Sequence, residues 1–264
     1  MAITYANSII LRDVVFRNNF IVNSVDCSNV KWWGGSLYYA FDNCRNLTAV
    51  YNFHPNITNM EGTFKNCQNL VIFPNIPNNV TSIKDAFYNC KSINTIPTIP
   101  ESVTNIDSAF SGCSNITTIP TIPNVTSLNY TFAGTNITTV PVIPESVTSL
   151  NSTFANCTAL TGSIYINSTN VSSAINCFGG TTSIKHVYIP FSNRNNGYTQ
   201  TYNSFITAGY DTIGTKEGVY LVDSCEYKLN VDGFTYTSDS SNNITLETYT
   251  GTNTTVVIPN LEDL

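Results

Sequence analysis

The chain of 264 residues is charged at only 11% of its positions, with 11 Lys and Arg against 17 Asp and Glu for a net charge of −6. Basic residues this few and never clustered leave no phosphate-neutralising footprint, so nucleic acid is not an expected partner. Charge lies well below the roughly 25% of an average domain, and the exterior has to be built from Asn, Thr and Ser instead.

Met1 to Arg17 has no basic segment leading into an apolar one, and Arg12, Asp13 and Arg17 interrupt each apolar run. Neither a signal peptide nor a membrane span is expected: either the mature chain stands here without its leader or it is made and folded in a cytosol, and the initiating Met favours the second. Residues 1–35 do not fit the repeat that follows. Ile9, Ile10, Leu11, Val14, Val15 and Phe16 can supply a buried strand or two, and Trp32-Trp33-Gly34-Gly35 ends the segment. Two readings stand: an N-terminal cap over the open apolar end of a repeat stack, or a docking arm presenting both tryptophans to a partner or a sugar ring.

Residues 36–191 repeat. Phe41, Phe64, Phe87, Phe110, Phe132, Phe154 and Phe178 follow one another at intervals of 22–24 residues. A fixed period in this range denotes supersecondary units that cannot bury an apolar face alone and so stack on their neighbours. The expected fold is an α/β solenoid of about seven rungs. Within a rung, Val80, Ile83, Ala86 and Phe87 have the spacing of one face of a short helical or 3₁₀ segment. Ile93, Ile96 and Ile99 follow, with Pro97 and Pro100. Proline has no N–H for a sheet ladder, so the strand predicted in each rung is short and parallel to its neighbours.

Cys44, Cys67, Cys90, Cys113 and Cys157 each fall three residues after the repeat phenylalanine and form a second ladder. Rungs of a parallel stack lie about 4.8 Å apart, within reach of a disulfide. Thr135 and Thr181 take or adjoin the same slot, however, and a slot that accepts Thr wants a small, weakly polar core group, so reduced thiols are the expectation. Nothing matches a metal-site spacing, and no metal or cofactor is expected.

The pattern Ala/Thr-Phe-x-x-Cys-x-x-Leu/Ile-x-x-Ile-Pro-x-Ile-Pro-x-x-Val-x-x-Ile resembles the BspA-like, or Treponema-type, leucine-rich repeat of bacterial and protist surface proteins. The resemblance covers roughly residues 36–190. It implies a right-handed solenoid with one parallel strand per repeat, a role in adhesion or protein binding, and no catalytic residues. The sequence departs from the pattern at a shortened rung around Phe132 to Ile137 and at a last rung where Thr181 holds the cysteine slot, which predicts fraying toward that end.

Residues 192–223 read as a loop and a short helix from Thr199 to Ala208, ended by Gly209 and closing the last rung. The segment from Asn203 to Leu221 is similar to the ending of repeat proteins of tailed bacteriophages of gut bacteria. Residues 224–264 read as a small β module: Tyr227, Leu229 and Val231 alternate before Asp232-Gly233, Phe234 and Tyr236 after it, and Ile244–Tyr249 and Thr255–Pro259 supply further strands.

Chemistry finds little support. His54 and His186 are remote from one another and lie in no motif. Glu101 and Glu145 sit two rungs apart in solvated turns, whereas a glycosidase pair needs carboxyls about 5–10 Å apart in a cleft. Asp211, Glu217 and Asp223 match no calcium loop. What remains is recognition by adjustable surface positions, with Trp32, Trp33, Lys65, Tyr88 and Lys91 as the candidate binding residues. The expected protein is a non-enzymatic bacteriophage virion component, a fibre, tail-tip or capsid-surface piece made in the host cytoplasm. It joins other virion proteins, or further copies of itself, through its terminal segments and touches a host-surface protein or glycan. The alternatives are a cellular surface adhesin and a purely structural virion piece.

Overall fold

The computed structural model of the chain describes residues 1–166, 168–189, 192–193, 197–198, 200–210, 220–223, 234–238 and 244–249. Five short strands open it: β1 (Ala2–Ile3), β2 (Ile9–Leu11), β3 (Ser24–Asp26), β4 (Val30–Trp32) and β5 (Ala49–Tyr51). They pair in parallel as β1-β3-β5 and β2-β4, with Val25 between Ile3 and Val50. A parallel pairing every 21–25 residues is what a repeat of this period must produce when each unit lies on the one before.

At the centre stands a column of nine aromatic rings. Phe16, Phe41, Phe64, Phe87, Phe110, Phe132, Phe154, Phe178 and Phe205 follow one another at centroid separations of 5.0–6.3 Å, inside the range of favourable ring pairs. Eight of the nine are completely buried and Phe16 nearly so. Phe16 thus extends the column one unit before the first phenylalanine of the sequence repeat. The N–H groups of Val14, Phe16 and Asn18 bond the carbonyls of Tyr38, Ala40 and Asp42, as those of Tyr39, Phe41 and Asn43 bond Glu61, Thr63 and Lys65.

The segment around each phenylalanine is not the predicted helical turn. From Ile83 to Asn89 alternate N–H groups reach across to Asn105, Asp107, Ala109 and Ser111 of the next unit, while the intervening ones close tight turns on the third residue back. This alternation needs two left-handed residues per unit, for example Asp85 (φ 54°) and Asn89 (φ 58°). Asn and Gly tolerate that region best. The residue two after each repeat phenylalanine is accordingly Asn18, Asn43, Asn66, Asn89, Gly112, Gly134, Asn156 or Gly180, all with φ of 58–75°.

One strand per unit is also too many. Ile72 still bridges to Ala49, but from Phe73 to Thr161 no strand forms. Pro74, Pro97, Pro120 and Pro141 remove the donors a ladder would use there. The units instead meet through single parallel bridges, Asn59 to Ser82, Ser82 to Asn105 and Ser127 to Ser149. Pairing resumes with β6 (Gly162–Tyr165) and β7 (Ile184–Ile189). After them come an antiparallel pair, β8 (Ser192–Asn193) and β9 (Gly197–Tyr198), the helix α1 (Gln200–Thr207), and β10 (Tyr220–Asp223), which pairs in parallel with β7. The strands β11 (Phe234–Ser238) and β12 (Ile244–Tyr249) form an antiparallel pair of their own. The strands expected at 227–231 and 255–259 lie outside the described residues.

The seven cysteines among the described residues are free and buried. Each ladder thiol donates to the preceding unit's phenylalanine carbonyl: Cys44 to Phe16, Cys67 to Phe41, Cys90 to Phe64 and Cys113 to Phe87, at 2.8–2.9 Å, and Cys157 to Phe132 at 3.1 Å. Thr181 makes the same bond to Phe154 at 3.0 Å through its hydroxyl. A single-donor side chain of this size fits the slot, and Thr and Cys both supply one, although Thr135 turns its hydroxyl to the Phe132 carbonyl of its own unit at 2.7 Å. Burial pushes the thiols of Cys113 and Cys44 up to about 12 and about 11.

The expected fraying of the last unit does not occur. Phe178 is fully buried, with Phe205 of α1 stacked on one side and Tyr210 edge-on, and the Tyr210 hydroxyl accepts the Phe178 N–H at 3.1 Å. Gly209, at φ 91°, turns the chain from α1 so that Tyr210 reaches this place.

Candidate functional site

Two columns of side chains flank the rings on one side: the residue after each phenylalanine and the left-handed residue two before it. Their contacts run between units. The Arg17 guanidinium meets Asp42 with Nε–Oδ2 at 2.9 Å and lies 5.4 Å from the Tyr39 ring. Lys65 Nζ stands 3.3 Å from Asp85 Oδ2, 4.9 Å from the Tyr88 ring and 5.8 Å from that of Tyr39. A cation placed over a ring face is held by the ring's quadrupole, so these contacts fix the long side chains in place.

Tyr39 is the hub. Its ring lies flat on Gly62, where an added Cβ would come within 2.6 Å of ring carbons, and Tyr38 packs edge-on against it at 4.6 Å. Burial, followed by the nearby carboxylates of Asp85 and Glu61, pushes the Tyr39 phenol up, so it remains a hydrogen-bond donor through the neutral range. Tyr38 and Tyr88 keep 41% and 36% of their surface exposed.

These columns are only partly solvated: Asp42, Ser111 and Ala155 are buried. Charged side chains occupy them only in the first four units, and beyond these Tyr130, 53% exposed, is the one large aromatic in either column. In residues 1–91 the chain has seven Lys and Arg and five Asp and Glu; residues 92–184 have no base and three acids, Glu101, Asp107 and Glu145. The later units carry Ser111, Ala133, Ala155 and Gly179 after the phenylalanine.

Of the sequence-derived candidates, Lys65 and Tyr88 come together here. Lys91, which follows the buried Cys90, is exposed and takes no part in the ion pairs and ring contacts above. The tryptophans are not presented as a pair. Trp32 is buried edge-on against Phe41, because β4 turns it into the core, while Trp33 is 60% exposed beneath the Arg12 guanidinium at 4.9 Å. Arg17, Tyr38 and Tyr39 went unread in the sequence, and Asp42 was read only as one of the variable positions after the phenylalanine. The Phe16-Arg17-Asn18 triplet, which matches Phe41-Asp42-Asn43, was the signal for the first of them.

The weaker chemical candidates have structural occupations. Glu145 accepts bonds from Thr169 and Asn170 of the next unit, and His54 Nδ1 accepts the Asn56 N–H. Asp211 and Glu217 lie outside the described residues. Among the described residues no group of three His, Cys, Asp or Glu could hold a metal ion, and no helix is long and apolar enough to cross a membrane.

A family profile described as a BspA type leucine-rich repeat region, in six copies, matches residues 37–161 and 84–207, more than half of the chain. The chain belongs to the BspA-type leucine-rich repeat family. Such repeats point to a surface or adhesion-type protein-binding role. Two solved structures are similar. A leucine-rich repeat protein of T. pallidum is 18% identical over 80% of each chain, with a TM-score of 0.38. A leucine-rich repeat protein from Bacteroides ovatus ATCC 8483 is 24% identical, covering 58% of this chain and 57% of its own, with a TM-score of 0.29. No curated protein matches the chain.

Proposed function

We propose that this BspA-type repeat protein is a non-enzymatic recognition component: a right-handed solenoid of about seven rungs whose flank at Tyr39, Lys65 and Tyr88 touches a host surface. The observation that carries this reading is the concentration of aromatic and charged side chains, each already held by its neighbours, in the first four units of an otherwise Ser-, Thr- and Asn-coated stack. Rigid surfaces bind with less entropy lost per contact.

In its finer form the protein is a bacteriophage virion component. The free ladder thiols support folding in a reducing cytoplasm, and the likeness of residues 203–221 to phage repeat proteins supports the assignment. A cellular surface adhesin is the alternative. A structural virion piece is favoured by one observation, the exposed apolar residues Val15, Phe20 and Ile21 at the start of the column, which suit contact with another virion protein.

The test is a pull-down of the purified chain against intact gut bacterial cells and, in parallel, against disrupted phage particles. Capture by cells supports the receptor-contacting reading. Capture by virion proteins alone replaces it with the structural one.

A further inference from the structure

We infer that the flank built from Arg17, Tyr38, Tyr39, Lys65, Asp85 and Tyr88 is a subsite for a neutral, polyhydroxylated sugar ring of a surface glycan. This rests on the recognition reading above and names the ligand class of that surface.

A pyranose offers two chemistries at once, an apolar face of C–H groups and a rim of hydroxyls that both donate and accept. The flank offers the complement. Tyr38 and Tyr88 present partly exposed rings to an apolar face, an amphipathic use for which tyrosine is suited. Around them stand donors and acceptors with capacity left over. Arg17 spends only Nε, on Asp42, so its two terminal N–H₂ groups have no partner among the described residues. Lys65 makes one hydrogen bond, to Asp85 Oδ2, leaving Asp85 Oδ1 open to a hydroxyl. Beside Arg17, Asp42 is 6% exposed, and its Oδ1 is buried with no hydrogen-bond partner among the described residues. A buried acceptor in this condition is costly unless a donor is brought to its neighbourhood.

The same inventory argues against other ligands. Asp42, Glu61 and Asp85 match Arg17, Lys65 and Lys84 in number, so a phosphate-rich or polyanionic chain meets as much repulsion as attraction. A divalent cation finds no three ligating side chains together. A protein hot spot needs a water-excluding pocket around its anchors, whereas these rings lie on an open face. The platform is also rigid in advance, through Gly62 beneath Tyr39 and Asp85 beside Lys65.

The experiment measures binding of the full chain to a panel of intact gut bacterial cells in three states: untreated, treated with periodate to cleave vicinal diols, and treated with a broad protease. The panel is repeated with Tyr88→Ala and Lys65→Ala, and with Tyr165→Ala as an exposed aromatic outside the flank. The expected result is binding abolished by periodate, kept after protease, unchanged by added salt, and weakened about tenfold or more by Tyr88→Ala but not by Tyr165→Ala. Thermal melts of the variants establish that they fold. Binding that survives periodate and is lost to protease overturns the glycan assignment and leaves a protein receptor, with the recognition reading intact. Periodate-sensitive binding that ignores Tyr88→Ala and Lys65→Ala overturns the placement. Absence of binding to every cell overturns both the inference and the reading beneath it.

Discussion

The aromatic column ends in two different ways. At its last unit Phe205 and Tyr210 cover Phe178, and the outward N–H of Phe178 finds an acceptor in the Tyr210 hydroxyl. At its first unit Phe16 is covered from one side by Phe41, while Val14, Val15, Phe20 and Ile21 stay 41–72% exposed. The difference follows from the polarity of the stack. In the turns around each phenylalanine the unit sends N–H groups forward and offers carbonyls backward, so there the two ends need opposite chemistry. The forward end is sealed by an acceptor hydroxyl. At the backward end the carbonyls of Asp13, Val15 and Arg17 meet no donor among the described residues, and β1 and β2 cover only the strand side.

The sealed end can be broken most directly through its stacking ring. Phe205→Ala removes a fully buried aromatic and is expected to cost about 3–5 kcal/mol, read from the midpoint of urea unfolding. A loss below about 1 kcal/mol would show that α1 does not close the column.

Alkali tests the middle against the open end. The Cys44 and Cys113 thiols titrate near about 11 and about 12 in the folded chain and near about 8.5 when unfolded, so between those values the native state holds protons that the unfolded state has released. Rising pH therefore favours unfolding. Stability is full below about pH 8.5 and falls by up to about 1.4 kcal/mol per pH unit for each such thiol above it. Denaturation curves across this range, with thiol alkylation of the native protein, check the slope; Cys44, beside the open end, is expected to react before Cys113.

Tyr210→Phe isolates the acceptor from the ring. It leaves the packing and strips the Phe178 N–H of its partner, at an expected cost of about 1–3 kcal/mol in the same unfolding assay. Within the column, Cys90→Thr keeps a donor for the Phe64 carbonyl, as Thr181 does for Phe154, and is expected to cost no more than about 1.5 kcal/mol. Smallest of all, Phe20→Ala at the open end should stay within about 0.5 kcal/mol, since half of that ring is already in water. A larger loss would mean that the open end is covered after all.

The rings and thiols were legible because core slots repeat with the chain: Phe87 and Cys90 recur wherever a unit must fill the same volume. The candidate face was half legible. Lys65 and Tyr88 stood out as large residues in variable slots, but Asp42 and Tyr39 take their roles from neighbours 22–26 positions away. Trp32 and Trp33 are adjacent in the chain and opposite in fate, because consecutive residues leaving a strand point to different sides.

The amino-acid sequence by itself determined the period, the buried column and its donors, since burial and a single hydrogen-bonding slot constrain residue type locally. It also held the left-handed positions, in the Asn or Gly two places after each phenylalanine, where a side chain has to tolerate positive φ. Tertiary structure alone decided where the strands stop, how each end of the column is finished, and which surface residues meet. Those outcomes depend on contacts between units, and no single unit encodes its neighbour.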